Sequence, residues 1–82
     1  MSCYLYIVRC KNNSFYTGIT WSIDKRIREH NMGLKTSIQK SKRPVKLEYY
    51  EKFDTRKEAA KREKEIKGWR KEKKDKLINS LR

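Results

Sequence analysis

Two short runs near the N-terminus have the side-chain pattern of β-strands. Residues 3–10 and 15–20 are rich in aromatic and β-branched residues, and Lys-Asn-Asn-Ser separates them. This arrangement predicts an antiparallel hairpin with a loop of about four residues. Side chains alternate between the two faces of a strand. Tyr4, Tyr6 and Val8 share one face of the first strand and Tyr16 and Gly18 one face of the second, with Leu5, Ile7, Phe15 and Ile19 on the opposite faces.

A helix is predicted directly after the hairpin. Ser22 can cap its N-terminus, and Asp24 is favourable in its first turn. The helix is expected to run to about His30 or Asn31, and Gly33 is suited to ending it.

A surface loop and a third strand follow this helix. Residues 33–43 have no clean period and carry many cations, which is typical of a surface loop. Pro44 ends the loop, and the alternation over residues 45–53 predicts a strand. On that pattern Val45, Leu47 and Tyr49 lie on one face of the third strand.

The C-terminal part of the chain predicts two helices. Thr55 and Glu58 form a Thr-x-x-Glu capping box, so a helix is expected to run from there to about Lys67, before Gly68. A last amphipathic segment, residues 70–81, buries Leu77, Ile78 and Leu81. The predicted order is β-β-α-β-α-α, which makes the protein an α+β fold with a small three-stranded antiparallel sheet, in one domain that spans residues 1–82.

Composition narrows the class of protein. The chain has 82 residues and a net charge of +13, from 23 Lys and Arg against 10 Asp and Glu. Nine aromatic residues cluster in the alternating segments, which favours a folded domain over a disordered basic tail. No apolar run approaches the roughly 20 residues of a membrane span, and no signal peptide is present, so a soluble cytoplasmic protein is expected. A polyanion is the expected partner.

Five polar or aromatic side chains fit a purely structural role poorly. Glu63 falls between apolar positions on the inward stripe of its helix, where a buried carboxylate needs a partner. Three explanations are open: a bound metal ion, a salt bridge to a nearby cation, or a rotation of the helix that leaves Glu63 exposed at the rim. Tyr6 and Tyr16 lie on hairpin faces that can coincide, and Arg26 and His30 are one helical turn apart. Each residue alone is also compatible with ordinary packing. Together they are the groups that phosphodiester cleavage requires.

These residues and their spacing resemble the GIY-YIG nuclease superfamily, most closely its small stand-alone YhbQ-like branch. Tyr4-Leu5-Tyr6 is followed by Tyr16-Thr17-Gly18, then by Arg26, His30 and Asn31-x-Gly33, and later by Glu63. The resemblance covers about residues 3–80. It implies a three-stranded antiparallel sheet with surrounding helices.

The resemblance also implies roles for individual side chains. Tyr6 and Tyr16 would activate or orient the attacking water, and Arg26 would stabilise charge on the phosphoryl group. Glu63 would bind Mg²⁺ or another divalent cation such as Mn²⁺, and His30 would act as a hydrogen-bond partner or proton carrier. The first Gly of the signature is Tyr4 here. Ile19 stands where some relatives have a Lys.

The resulting hypothesis is a Mg²⁺-dependent DNA endonuclease, structure-selective or non-specific, of the kind used in DNA repair or recombination. No base-reading motif is visible, so specificity is expected to come from nucleic-acid structure or a protein partner. Two alternatives stay open: a non-catalytic nucleic-acid-binding module with the same fold, and an RNA-associated basic protein. The cations expected to bind the phosphate backbone are Lys35, Lys40, Lys42, Arg43, Lys71, Lys73 and Lys74.

Overall fold

The computed structural model describes residues 1–80. Its regular elements are β1 (Cys3–Arg9), β2 (Phe15–Thr20), α1 (Ile23–Met32), β3 (Lys46–Phe53), α2 (Arg56–Lys67) and α3 (Lys71–Asn79), with a single 3-10 turn at Lys40–Lys42. The predicted α+β fold and the predicted order of strands and helices are confirmed. Leu81, which the sequence pattern placed on the buried side of the last helix, lies outside the described residues.

The three strands form one antiparallel sheet in the order β2-β1-β3. The central strand β1 therefore pairs on both sides. Tyr6 in β1 lies opposite Gly18 in β2 and Tyr50 in β3. Because directly opposite residues of an antiparallel pair share a face, these three positions form one row across the sheet.

A β-bulge in β3 overturns one prediction about this sheet. Ile7 lies opposite Tyr49, whereas the next residue, Val8, lies opposite Leu47, so Glu48 is an extra residue in β3. The extra residue moves later side chains to the other face. Leu47 packs with Tyr6 and Val8, but Tyr49 packs with Leu5 and Ile7. The prediction that Val45, Leu47 and Tyr49 share one face is wrong.

Local sequence explains where the helices begin and end. The Thr55 hydroxyl accepts a hydrogen bond from the Glu58 amide at 3.2 Å and caps α2 as predicted. Gly33 ends α1 with a φ of 78°, a left-handed conformation that glycine adopts without steric cost. Within the described residues no helix is long and apolar enough to cross a membrane.

The sheet separates two clusters of buried side chains. On one side, called the α2/α3 face, Leu5 and Ile7 pack against Ile66 of α2 and Ile78 of α3. On the other side, called the α1 face, Tyr6 and Val8 pack with the segment between α1 and β3, and His30 of α1 is buried beside Tyr6. Candidate chemistry is concentrated on the α1 face.

Candidate active site

A tyrosine-histidine cluster lies between the central strand and α1. The Tyr6 hydroxyl lies 2.7 Å from Nε2 of His30, and both side chains are buried. The ring of Tyr16 from β2 completes the cluster, with its centroid 6.4 Å from that of Tyr6 and 5.1 Å from that of His30. Tyr6 and His30 are 24 positions apart in the chain, so the fold brings distant residues into direct contact.

Gly18 makes room for this cluster. A Cβ atom at Gly18 would lie 2.6 Å from the Tyr6 hydroxyl oxygen and 2.8 Å from its Cζ, which is closer than real atoms approach. The Tyr6 ring therefore lies directly over the glycine backbone of the neighbouring strand. Gly18 is needed here for close approach and not for an unusual backbone conformation.

Thr36 is a site residue that sequence reasoning missed. Its hydroxyl lies 2.5 Å from Nδ1 of His30 and accepts a hydrogen bond from the Ile38 amide at 3.1 Å. Both ring nitrogens of His30 therefore have a partner, and the imidazole is held in one orientation. Thr36 lies in an aperiodic loop, where the pattern of apolar positions says nothing about which side chain turns inward.

Burial changes the acid-base properties of the cluster. Burial and the neighbouring Tyr16 raise the pKa of Tyr6 to about 12, while the Arg26 guanidinium acts in the opposite direction. Burial, with Arg26 second, lowers the pKa of His30 from 6.5 to about 4. At neutral pH Tyr6 is consequently a neutral phenol and His30 a neutral imidazole.

Arg26 reaches the cluster from the first half of α1. Its charge acts on the pKa values of both Tyr6 and His30, so the guanidinium lies close to both side chains. Its Nη1 lies 3.4 Å from Oε1 of Glu29, a long hydrogen bond on a partly exposed surface. At 3.4 Å the contact is longer than the roughly 2.7–2.9 Å that is usual for a hydrogen bond between charged groups.

Glu63 lies at the rim of the buried stripe of α2. Ala59 and Ile66 are completely buried, but the Glu63 side chain is 22% exposed. Its Oε2 lies 3.3 Å from Nζ of Lys67, one turn further along the helix. The salt bridge that the spacing allowed is therefore present. Glu63 is also close enough to Tyr6 for its charge to raise the pKa of that phenol.

The structure does not bring the seven expected phosphate-binding cations onto one surface. Lys35, Lys40, Lys42 and Arg43 belong to the segment that covers the α1 face, whereas Lys71, Lys73 and Lys74 belong to α3 on the opposite side of the sheet. Arg43 donates two hydrogen bonds to the Ile38 carbonyl, at 3.2 and 2.9 Å, so it also holds the loop together.

The site combines a tyrosine from each of two paired strands of the three-stranded sheet with a histidine and an arginine from the first helix. A family model described as the GIY-YIG catalytic domain matches residues 2–76, and the chain belongs to this family. The resemblance noted in the sequence is confirmed.

Named relatives and solved structures agree with this assignment. A UPF0213 protein of Staphylococcus saprophyticus is 53% identical over 76 residues, which is 93% of each chain. A UPF0213 protein of Haloquadratum walsbyi is 46% identical over 74 residues, covering 90% of this chain and 83% of the relative. The solution NMR structure of a UPF0213 protein from Bacillus halodurans is 34% identical, with a TM-score of 0.62 over 96% of this chain and 84% of that one. A protein of E. faecalis solved by the same method is 34% identical, with a TM-score of 0.67 over 99% of this chain and 86% of that one.

Proposed function

We propose that the protein is a divalent-metal-dependent DNA endonuclease that hydrolyses phosphodiester bonds, with residues 1–82 acting as one domain. The observation that carries the proposal is the hydrogen bond between Tyr6 and His30, with Tyr16 packed against both rings and Arg26 beside them. Buried groups with shifted pKa values beside a cation are typical of functional sites, and this cluster lies in a GIY-YIG catalytic domain.

Tyr6 and His30 orient the attacking water in this proposal. In the neutral imidazole, Nδ1 carries the proton and donates a hydrogen bond to the Thr36 hydroxyl. Nε2 then accepts a hydrogen bond from the Tyr6 hydroxyl. The phenol oxygen then keeps its lone pairs, which can accept from Arg26 and from a water molecule. Because the pKa of Tyr6 is about 12, this phenol positions water as a neutral group at neutral pH. Tyr16 closes the cluster from the neighbouring strand.

The bond changes are those of direct hydrolysis. The water oxygen bonds to phosphorus while the bond between phosphorus and the 3′ oxygen breaks. The water releases a proton to solvent, and the departing 3′ oxygen takes one up. Arg26 donates hydrogen bonds to the phosphoryl oxygens, where negative charge accumulates in the transition state.

Glu63 is the residue proposed to hold the metal. Mg²⁺ usually keeps several waters and binds through one or two carboxylates together with substrate phosphates, so a single partly exposed carboxylate suits it. The described residues contain no group of three or more acidic, His or Cys side chains that could enclose a metal without substrate. Lys67, the present partner of Glu63, is 52% exposed and can turn away at little cost. When bound, the cation, Mg²⁺ or Mn²⁺, supplies charge neutralisation at the phosphate and the leaving oxygen.

Cations on the surface are proposed to bind the phosphate backbone. A net charge of +13 makes DNA binding strongly electrostatic, and affinity is expected to fall steeply with salt. Low sequence specificity is expected, since the proposed contacts are to phosphates. A protein partner is the proposed source of any further specificity.

The proposal is tested by cleavage of labelled single-stranded, duplex, flapped and branched DNA, with Mg²⁺ or EDTA. Glu63→Gln is expected to keep the fold and the DNA affinity and to lose at least about a hundredfold in cleavage rate. Glu65→Gln is the matched control, because Glu65 lies on the same helix but pairs with Arg62 at 2.8 Å. Its cleavage rate is expected to equal that of the unmodified chain.

Two outcomes would contradict the proposal. Full cleavage by Glu63→Gln would show that its carboxylate is structural. Binding without cleavage on every substrate, with and without metal, would instead indicate the non-catalytic nucleic-acid-binding module.

A further inference from the structure

A second feature of the α1 face is an open groove with aromatic walls. Tyr4, Trp21 and Tyr50 contribute its rings, Leu47 also lines it, and its volume is about 400 Å³. Tyr4 and Tyr50 meet edge to face, with ring centroids 6.0 Å apart. None of these aromatic residues belongs to the tyrosine-histidine cluster.

The groove lies next to the candidate active site. Tyr50 lies directly across the sheet from Tyr6, and Tyr4 is two residues before Tyr6 on the same strand and the same face. Lys52 lies opposite Tyr4, so an exposed ammonium group also lies along this edge. Neighbouring positions on one face of a sheet are only about 5 to 7 Å apart. A nucleic-acid strand bound at Tyr6 and Arg26 therefore reaches the groove within about the length of one nucleotide.

The groove exposes rings that the fold does not use for packing. Trp21 is 48% exposed and Tyr50 is 54% exposed, and they are the only exposed Trp, Tyr or Phe residues among the described ones. Exposed aromatic groups gathered in one concave surface are typical of a binding site. A chain this small has few apolar side chains to spare for such a surface.

We propose that this groove stacks an unpaired DNA base next to the scissile phosphate. The inference rests on the proposed function, and it names the substrate class: DNA that is single-stranded or unpaired beside the cut. Aromatic rings stack on the flat faces of bases, which only an unpaired strand presents, because duplex bases are already stacked on each other. Asp24, which lines the groove, repels phosphate and so favours a base there, while Lys52, opposite Tyr4, offers a cation to the adjoining phosphate.

Charge favours a nucleic acid over a second copy of this chain. Self-association through the groove would bring together two molecules that each carry a net charge of +13. A polyanionic strand gains from the same charge. An unpaired strand therefore satisfies both the aromatic surface and the electrostatics.

The test uses Trp21 as its own reporter. Trp69→Phe leaves Trp21 as the only tryptophan, and this chain is titrated in EDTA with three ligands: single-stranded DNA of about 12 nucleotides, an abasic strand of the same length, and a blunt duplex. Quenching of Trp21 fluorescence by the single strand alone is expected. Equal quenching by the abasic strand or the duplex would overturn the proposal.

Affinity measurements with labelled DNA extend the test. The double variant Trp21→Ala/Tyr50→Ala is expected to bind the single strand about tenfold more weakly and the duplex as well as before. Leu34→Ala is the matched control, because Leu34 is 51% exposed but outside the groove, and it is expected to change neither affinity. Equal losses for single strand and duplex would overturn the proposal, as would a dimer in sedimentation that the double variant abolishes.

Failure of this inference can be told apart from failure of the proposed function. Stacking is measured in EDTA, so it does not depend on cleavage. If DNA does not quench Trp21 fluorescence but cleavage depends on Glu63, only the groove assignment is wrong. If single-stranded DNA quenches Trp21 fluorescence but no substrate is cleaved, the groove assignment stands and the nuclease proposal is wrong.

Discussion

The two faces of the sheet are held to their helices by different kinds of contact. On the α2/α3 face, apolar side chains such as Leu5, Ile7 and Ile66 are completely buried against each other. On the α1 face, the only buried residue that α1 contributes is His30, which is hydrogen-bonded to Tyr6. Asn31 adds two hydrogen bonds to the backbone of Val45, at 2.7 and 3.3 Å.

This difference separates stability from chemistry. Apolar burial is non-directional and stabilises the fold without defining where a polar group points. Hydrogen bonds contribute less free energy but fix orientation, which a reacting cluster needs. Each face buries an apolar cluster, but more partly buried apolar side chains pack around the cluster on the α2/α3 face.

The largest expected effect comes from removing apolar packing on the α2/α3 face. Ile66→Ala removes a completely buried side chain, so the free energy of unfolding is expected to fall by about 2–5 kcal/mol. Ile38→Ala is the matched control, because Ile38 is also buried but belongs to the cluster on the α1 face, where fewer apolar side chains surround it, so it should cost less. Urea denaturation of both variants measures the difference. Equal losses would show that the two faces contribute alike.

Acid is expected to destabilise the α1 face through His30. The unfolded chain binds a proton on His30 below pH about 6.5, whereas the folded chain stays neutral until pH about 4. The contribution of His30 to stability is therefore complete above pH about 6.5 and is lost as the pH falls to about 4, by about 3 kcal/mol.

His30→Gln isolates this effect, because an amide forms hydrogen bonds but does not titrate. Unfolding curves between pH 7 and pH 4 are expected to show a smaller loss of stability in the variant. Identical slopes in both chains would show that folding does not lower the pKa of His30.

A smaller effect is expected from filling the space under Tyr6. Gly18→Ala places a methyl group where the Tyr6 ring lies, so it should cost about 1–3 kcal/mol of stability and displace the ring from His30. Gly68→Ala is the control: an added Cβ there meets only the Glu65 carbonyl at 3.6 Å, and φ is −80°. Thermal unfolding and cleavage rates are compared. A Gly18→Ala chain with normal stability and cleavage would show that the close approach is not needed.

The smallest effect per residue is expected for the surface lysines. Alanine at Lys35, Lys40 and Lys42 should flatten the dependence of DNA affinity on salt, by about 0.9 in the log-log slope for each phosphate that is no longer neutralised. Alanine at Lys71, Lys73 and Lys74, on the opposite side of the sheet, should change the slope less. The reverse ranking would place the DNA on α3.

Much of the fold follows from local sequence. The hairpin alternation, the Thr55 capping box and Gly33 each act within a few residues, and the observed elements begin or end where these signals predict. The bulge at Glu48 could not be predicted, because Val45, Leu47 and Tyr49 continue an unbroken alternation in the sequence. Only pairing with β1 shows the slip of one residue.

The candidate site divides in the same way. Tyr6, Tyr16, Arg26, His30 and Glu63 could be selected from residue type, spacing and resemblance, but their roles stay a proposal. Thr36, Trp21 and Tyr50 were not selected. Their neighbours come from distant parts of the chain, and nothing in the local pattern distinguishes them from ordinary loop or strand residues.

The sequence by itself determined the elements of this protein, its strong positive charge and the residues that mark its family, because these depend on side-chain identity and on spacings of a few positions. The tertiary structure alone decided the face that Tyr49 occupies, the approach of Tyr6 to Gly18 and the partner of each His30 nitrogen. Those features depend on which strands pair and in what register, and pairing is set by burial summed over the whole chain.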